Sequence, residues 1–204
     1  MHVHGDDTRD VIIAAAEELF AERGVFAVSN RQVSEGAGQR NSSAVGYHFG
    51  TKDDLVLAIV QKHAVPIEES RKRLLAEIEG STDLRDWVTC LVVPYIEHLV
   101  TMGAHSSYAR FSAQVMTDPA LRGVIYETAL ESPALRRILA GLQSCVRDLP
   151  PSVRAARGDM ARQLIVHMSA ERERDATGNW ADFGADLVDA IVGMWSAPVS
   201  RTWA

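Results

Sequence analysis

Residues 29–52 read SNRQVSEGAGQRNSSAVGYHFGTK, and this stretch decides the fold. The spacing predicts a short helix over residues 30–37, because Val33 and Ala37 lie four residues apart and so share one helix face. Gly38 follows and ends the helix, since glycine readily adopts the backbone conformations of a turn. The stretch therefore opens with one short helix and a turn.

A second short helix is expected over residues 43–49. Its outer face carries little bulk, because Ser43, Ala44 and Gly46 come before the larger Tyr47. Small side chains let a helix backbone approach base edges in a DNA groove, and serine hydroxyls form hydrogen bonds with bases or phosphates. Two short helices joined by a glycine-containing turn predict a helix-turn-helix.

Capping residues mark the starts of the surrounding helices. Thr8 is expected to be the N-cap of a scaffold helix that precedes the pair, and Ser42 the N-cap of the second short helix. Thr51 and Asp54 form a capping box for the helix that follows. Lys52 and the free backbone N–H groups at that helix start are therefore expected to meet a DNA phosphate.

Helical periodicity continues beyond this stretch as far as Trp195. Leu84, Trp87, Val88 and Leu91, for example, follow the spacing of a single helix face. Two adjacent alternating runs joined by a hairpin turn are not found in the sequence. Glycine, proline and polar clusters divide the chain into about nine helices. The expected fold is all-α, with a helix-turn-helix head over residues 1–60 and a larger helical body over residues 61–204.

The charge of the whole chain and the charge of the motif point in different directions. The chain has 21 basic and 27 acidic residues, a net charge of −6, which by itself argues against nucleic acid as a partner. Between residues 29 and 52, however, Arg31, Arg40 and Lys52 outnumber the one acid, Glu35. We therefore expect weak non-specific DNA binding and a need for two heads to bind together.

The sequence disfavours several other classes of protein. Its apolar runs are far shorter than the roughly 20 residues of a membrane span, and no charged-then-apolar leader opens the chain, so a cytoplasmic protein with no membrane partner is expected. No zincin motif, nucleophile elbow or phosphate loop is found in it. We expect neither enzymatic activity nor a cofactor.

A few residues allow a metal-binding interpretation that we disfavour. His167 and Glu171 lie four residues apart, where an exposed hydrogen bond is the simpler interpretation. Residues 1–4, Met-His-Val-His, fit a disordered tail better than a metal site.

The alternatives to a DNA-binding regulator are an all-α enzyme or metal protein that uses His98, His167 or Glu171, and a helical interaction module. Cys90 and Cys145 are interpreted as reduced core thiols.

In the region of the predicted helix-turn-helix, the sequence resembles the TetR family of bacterial transcriptional regulators. The matching elements are residues 19–24, Ala37-Gly38, Ser42, and the block YHFGTKDDL over residues 47–55. The resemblance covers about residues 8–60. It implies a homodimer whose two heads bind half-sites of a palindrome, and a body that binds a small-molecule effector. A repressor is the expected mode.

The resemblance also assigns roles to positions in the motif. Ser29 stands where the family often has a phosphate-contacting threonine, and Lys52 matches its phosphate-binding lysine. Tyr47 and His48 match positions that commonly contact the DNA backbone; for Tyr47 the alternative is packing between helices, and for Arg40 a solvated loop position. The residues expected to contact DNA are Ser29, Arg31, Gln32, Arg40, Asn41, Ser42, Ser43, Ala44, Tyr47, His48 and Lys52.

Two features depart from the family pattern. The turn from Gly38 to Ser42 is about two residues longer than usual. Gly46 replaces a larger residue, at a cost of about 1 kcal/mol of helix stability relative to alanine.

The middle helices contain a set of aromatic, polar-tipped or flexible side chains that suits an effector pocket, with ordinary core packing as the alternative. The expected pocket residues are Trp87, Tyr95, His98, Met102, Tyr108, Phe111, Met116 and Tyr126.

The last two helices are expected to form the dimer interface. The final helix is apolar over more than half of its circumference, so one face is free for a second subunit once the other packs on its own chain. Two helices from each chain then make a four-helix interface. The expected interface residues are Met160, Leu164, Met168, Phe183, Leu187, Val188, Ile191, Val192 and Trp195.

Overall fold

A computed structural model describes residues 3–175 and 179–200 of the chain. These ranges contain ten helices and no strand. The count treats residues 151–174, which carry the two labels α9 and α10 below, as one continuous helical stretch. The all-α prediction is confirmed, and about nine helices were expected. The helices are α1 (Val3–Arg23), α2 (Asn30–Gly36), α3 (Ala44–Phe49), α4 (Lys52–Glu77), α5 (Leu84–Met102), α6 (Tyr108–Thr117), α7 (Pro119–Leu130), α8 (Pro133–Cys145), α9 (Pro151–Gln163), α10 (Ser169–Arg174) and α11 (Trp180–Ser196).

Local capping explains where the short helices of the head begin. The Ser29 side chain accepts from the backbone N–H of Gln32, and the Gln32 side chain accepts from the backbone N–H of Ser29, which starts α2 with a capping box. Thr51 and Asp54 form the predicted capping box at the start of α4. These two helix starts are therefore set by residues only three apart.

Two other predicted caps are wrong. Helix α1 begins at Val3, so Thr8 lies inside the helix rather than at its N-cap. The N-cap of α3 is Ser43 and not Ser42, and its side chain makes no capping hydrogen bond. The reason is a tight turn just before α3, in which the Asn41 side chain accepts from the Ser43 backbone N–H at 2.9 Å.

Helix α4 joins the head to the body without interruption. It runs from Lys52 to Glu77 and passes through Pro66, although prolines were among the residues expected to divide the chain into helices. Pro66 is exposed, so the backbone carbonyl that loses its hydrogen bond is left near solvent. The predicted domain boundary after residue 60 falls inside this helix. Head and body therefore share one rigid element.

The body is built around α5, which α4, α8 and α11 contact. The approach of α8 is close, because a Cβ added at Gly141 would lie 2.3 Å from the Trp87 ring. Arg157 of α9 donates hydrogen bonds to the carbonyls of Trp195 and Ala197, both at 2.8 Å, and so holds the end of α11. Helix α6 packs on α1 and α10 and closes the core beneath the head.

Candidate nucleic-acid interface

Helix α3 presents opposite faces to the head core and to solvent. Val45 and Phe49 are buried on the inner face, whereas 86% of Tyr47 is exposed. A Cβ added at Gly46 would have nothing within 4 Å, so the helix backbone is accessible there. Ala44 is buried at 7% exposure and belongs to the core, which removes it from the expected DNA contacts.

The turn before α3 places exposed polar groups next to that helix. Gly38 adopts a positive φ of 65°, which permits the sharp exit from α2. Arg40, Asn41, Ser42 and Ser43 all lie exposed in or beside the turn. The additional residues of the long turn therefore extend into solvent beside α3 and do not fold back into the head.

The side chains at the start of α2 already have partners within the chain. The hydroxyl of Ser29 donates to Gln32 Oε1 at 2.9 Å, in addition to the capping box. Arg31 is exposed and pairs with Glu35 at 2.8 Å. The hydrogen bond to the Glu35 carboxylate raises the pKa of Arg31 above its ordinary value. A DNA phosphate would compete with Glu35 for this guanidinium.

Lys52 lies in a different environment from the one expected. Its Nζ donates to the carbonyl oxygens of Val28 at 2.6 Å and Val25 at 3.1 Å, so it is half-buried against the loop between α1 and α2. The ammonium thus holds this loop at the start of α4. An ammonium has three N–H donors, which leaves one for a phosphate beside the helix N-terminus.

Sequence reasoning missed Arg9. Its guanidinium donates to the carbonyl oxygen of His48 at 2.8 Å and lies 4.2 Å from the centre of the Phe49 ring. These contacts tie α1 to the C-terminal end of α3, where a cation is favoured, and add a cation–π interaction. No local pattern indicates this contact, because the partners lie about forty residues apart. His48 itself is half-buried, with its ring against that of Tyr47.

A buried polar chain joins the head to the body beneath α1. Glu17 Oε2 lies 2.7 Å from His63 Nε2, and His63 Nδ1 lies 2.7 Å from His98 Nε2. The second oxygen of Glu17 accepts from the Ser107 hydroxyl at 3.1 Å, and the Tyr108 ring stacks on His63. Burial of the ring is the main cause that lowers the pKa of His98 to about 4, and the neighbouring His63 acts in the same direction. This buried polar chain of side chains connects α1, α4, α5 and the start of α6.

The structure does not bring the eight expected pocket residues together in one cavity. Tyr95, His98, Tyr108 and Phe111 form one buried cluster, linked by contacts between their rings. Met116 is buried, and Trp87 packs instead against Gly141. Met102 and Tyr126 are exposed on the surface. An open groove of about 450 Å³ lies elsewhere, between α5 and α11, and none of the eight lines it.

The nine expected interface residues divide into two groups. Leu187, Val188, Ile191 and Trp195 are buried within the chain, on the face of α11 that packs inward, so these four belong to the core. The other five are exposed or half-buried: Met160, Leu164, Met168, Phe183 and Val192. Residues 164–168 form a π-helical turn between α9 and α10. This turn places Leu164 and Met168 within one partly exposed apolar surface.

The described parts of the chain contain no group of three or more histidine, cysteine, aspartate or glutamate side chains arranged to hold a metal ion. Glu171 pairs with Arg174, not with His167. Residues 1 and 2 of the N-terminal Met-His-Val-His lie outside the described residues.

Cys90 and Cys145 are free thiols, and burial raises the pKa of Cys90 to about 11. Among the described helices, none combines the length and apolar character of a membrane span.

The helix-turn-helix, with its exposed α3 face and its continuous α4, has the architecture of a DNA-binding head. Residues 12–59 match the family described as "Bacterial regulatory proteins, tetR family". This match confirms the resemblance to that family which the sequence predicted for about residues 8–60. The matched residues are those of the helix-turn-helix head, and the family that they match is one of regulatory proteins.

Individual relatives cover different parts of the chain. The HTH-type transcriptional dual regulator CecR of Shigella flexneri is 36% identical over 84 residues, 38% of this chain and 37% of CecR. The HTH-type transcriptional activator FasR of Mycolicibacterium smegmatis is 26% identical over 161 residues, 67% of this chain and 68% of FasR. The chain thus spans little more than a third of CecR and about two thirds of FasR.

A solved structure shows the same fold over nearly the full length. NalD of Pseudomonas aeruginosa, described as the secondary repressor of the MexAB-OprM multidrug efflux pump, superposes with a TM-score of 0.58 at 20% identity. The match covers 92% of this chain and 96% of NalD. At this identity the likeness establishes the fold alone.

Proposed function

We propose that the chain is a homodimeric repressor that binds a palindromic operator through its two heads and is released by a small-molecule effector. The observation that carries the proposal is the outer face of α3, where the exposed Tyr47 lies beside the open backbone at Gly46. The phenol of an exposed tyrosine can form a hydrogen bond with a DNA phosphate. An open helix backbone suits close approach to a DNA groove.

The proposed DNA contacts come from two neighbouring parts of the head. In the turn and α3, Tyr47 and His48 would contact the DNA backbone, and the remaining contacts are Arg40, Asn41, Ser42 and Ser43. At the start of α2, Ser29, Arg31 and Gln32 would approach phosphate. Lys52 is proposed to donate its third N–H to a phosphate, while its other two N–H groups hold the loop before α2.

The proposed dimer uses the partly exposed apolar side chains of the last helices. Met160 and Met168 are 53% and 46% exposed, and Leu164, Phe183 and Val192 are half-buried. Two copies of this surface would bury it symmetrically, as a two-fold interface requires. The dimer would present two α3 helices to successive major grooves about 34 Å apart.

Repression is the proposed mode because a dimer bound across an operator excludes other proteins from that DNA. The names of the relatives differ on this point: NalD is described as a repressor, FasR as an activator and CecR as a dual regulator. A reporter gene placed behind the operator tests the mode directly. Expression should rise when the regulator gene is deleted, and a fall would contradict repression.

DNA binding is tested by fluorescence anisotropy with fragments from around the protein's own gene. Tyr47→Ala should weaken binding at least tenfold without loss of stability, because the side chain has few contacts to lose. Tyr126→Ala is the matched control, since Tyr126 is a 50% exposed tyrosine on α7, outside the helix-turn-helix. Binding by the parent chain that is absent or insensitive to salt would contradict the proposal.

The dimer surface is tested by sedimentation of charge variants. Met168→Glu places a charge at the centre of the proposed interface and should shift the protein from dimer to monomer. Val65→Glu is the control, because Val65 is a similarly exposed apolar side chain on α4. Dissociation by both variants, or by neither, would argue against this interface.

A further inference from the structure

The buried polar chain beneath α1 is made of titratable side chains that the proposed DNA contacts do not use. Glu17, His63 and His98 come from α1, α4 and α5, and both contacts between them measure 2.7 Å. All three side chains are buried. The link between the three helices therefore depends on where the protons of these groups lie.

Each contact of the polar chain has room for one hydrogen atom. When the Glu17 carboxylate is ionised, Nε2–H of His63 donates to it, and Nδ1 of His63 accepts from Nε2–H of His98. One further proton fits as well: it binds Nδ1 of His98, while the Nε2 proton of that ring moves across to Nδ1 of His63. Both contacts then still hold one hydrogen each. The polar chain thus accepts one added proton without the loss of a contact.

A second added proton does not fit this geometry. It would bind Nε2 of His98, which would then face the proton on Nδ1 of His63 with no lone pair between them. Two charged rings would also lie with their centres 5.0 Å apart in a buried site. The contact between His63 and His98 must then break. The lowered pKa of His98 agrees with this count, because burial and then His63 disfavour the charged ring.

The surroundings supply little negative charge to stabilise a second proton. Burial raises the pKa of both Tyr95 and Tyr108, so neither phenol is ionised. Glu173 of α10 already pairs with Arg110 at 3.1 Å. Among the described residues, the arginines of α8 and the aspartates of α11 are exposed, as are Glu18, Lys62 and Glu97. The carboxylate within the polar chain is that of Glu17, and the first added proton balances its charge.

The polar chain also fixes the scaffold helix of the head on the body. The two oxygens of Glu17 contact His63 of α4 and the Ser107 hydroxyl at the start of α6. Glu17 lies eight residues, or about 12 Å, along α1 from Arg9, which holds the C-terminal end of α3. Rupture of the polar chain would therefore loosen the helix on which α3 is mounted.

We propose that Glu17, His63 and His98 form a proton-operated latch, which fixes the head on the body near neutral pH and opens on acidification, with a loss of operator affinity. The loss of affinity rests on the proposed DNA binding, because two heads fit two half-sites only when each is held in place. The latch itself does not depend on that function. Protons would thus regulate the protein from a site outside both the DNA-binding face and the proposed dimer surface.

Proton linkage sets the size of the effect. In the open latch the His98 ring reaches solvent and its pKa returns to the ordinary value of 6.5, whereas in the closed latch it is about 4. The opening equilibrium should therefore shift by up to about tenfold for each unit of pH between these values. Acidification also makes the whole protein less negative, which by itself strengthens its attraction to DNA. Operator affinity is therefore compared between matched variants at the same pH.

Hydrogen exchange of the parent protein tests the latch without DNA. Between pH 7 and pH 4.5, the protection of the α1 amides should fall at least about tenfold, after correction for the intrinsic pH dependence of exchange. Helix α8 is the internal reference, because it contributes no side chain to the latch. Equal losses of protection in α1 and α8 would indicate general unfolding, and no loss in α1 would show a closed latch. Either result would overturn the proposal.

Operator affinity is then measured by fluorescence anisotropy in the parent protein and in His98→Gln. The glutamine amide still donates to Nδ1 of His63 but takes up no proton, so the two proteins should bind the operator equally at pH 7. At pH 4.5 the variant should bind at least about fivefold more tightly than the parent protein. Equal affinities at pH 4.5 would contradict the latch.

His167→Gln is the matched control, because it removes a half-buried histidine that lies outside the latch. It should follow the parent protein at both pH values, and a gain at pH 4.5 equal to that of His98→Gln would contradict the latch. If His98→Gln does not fold, hydrogen exchange of the parent protein carries the test.

Hydrogen exchange and DNA binding together separate the two proposals. If the parent protein binds no operator at any pH, the proposed function fails, and selective loosening of α1 in acid still supports the latch. If it binds the operator but α1 is protected equally at both pH values, only the latch is wrong.

Discussion

Glu17 Oε2 lies 2.7 Å from Nε2 of His63, and both side chains are almost fully buried. This contact joins α1, the scaffold helix of the head, to the part of α4 that already belongs to the body. It is the first link of the buried polar chain that continues to His98. Since each polar group depends on the next for a partner, the junction between head and body is specified by geometry and not only by apolar contact.

Removal of Glu17 should therefore destabilise the protein strongly. Glu17→Ala leaves His63 and the Ser107 hydroxyl without a buried acceptor, at an expected cost of about 2–4 kcal/mol in the free energy of unfolding. Glu18→Ala is the matched control, because Glu18 is the exposed neighbour on the same helix and should change stability by less than about 0.5 kcal/mol. Urea unfolding measures both, and equal values would refute the role given to Glu17.

The lowered pKa of His98 predicts how stability depends on pH. Above about pH 7.5 the ring is largely neutral in both the folded and the unfolded chain, so it contributes little pH dependence there. Below about pH 6.5 the unfolded chain binds a proton that the folded chain does not accept until about pH 4. The free energy of unfolding should fall across this window by up to about 3 kcal/mol.

The control for this prediction is His98→Gln, which keeps a hydrogen-bonding group near His63 but cannot titrate. Urea unfolding at several values between pH 4 and 7 should give a shallower decline for the variant than for the parent chain. Parallel curves would show that His98 does not cause the decline.

Packing at Gly141 gives a prediction of opposite sign from that at another helical glycine. In Gly141→Ala the new methyl group would lie 2.3–2.4 Å from Trp87 ring atoms, and the overpacking should cost about 1–3 kcal/mol. In Gly123→Ala the methyl group meets nothing within 4 Å, so α7 should gain up to about 1 kcal/mol from helix propensity. Thermal unfolding distinguishes these outcomes, and stabilisation by both would contradict the close packing of α8 on α5.

The sequence predicted those parts of the head whose causes are local. The capping box at Thr51 was predicted because its partner lies three residues away, and the apolar spacing of α2 reflects a single turn. The capping box at Ser29 has the same spacing but was not predicted. The cap of α3 was misplaced because Asn41 competes for the backbone of the turn. The placement of Arg9 beside Phe49, and of the Lys52 ammonium beside Val28, depends on tertiary packing that no local pattern contains.

The body was harder to predict, because periodicity identifies the apolar face of a helix but not its partner. Leu187 and Ile191 share the apolar stripe of α11 with Val192, yet they pack inward while Val192 lies half-exposed. Tyr95 and His98 were assigned to a pocket, and the structure places them in a buried cluster.

Gly46 allows the proposed DNA-binding face to be tested without removal of any side chain. In Gly46→Ala the added methyl group has open space, so the free protein should gain up to about 1 kcal/mol of stability. The same methyl group would lie on the outer face of α3, between the helix backbone and the DNA groove. Operator affinity should therefore fall at least tenfold while the melting temperature rises.

The opposite signs of these two effects make the prediction hard to satisfy by accident. A variant that loses DNA binding through misfolding would lose stability as well. The control is again Gly123→Ala, which adds a methyl group to an open helix surface of the body and should leave operator affinity unchanged. If Gly46→Ala gains stability and binds the operator as tightly as the parent chain, the backbone of α3 does not approach the DNA closely, and Tyr47 must contact it from a more distant docking position.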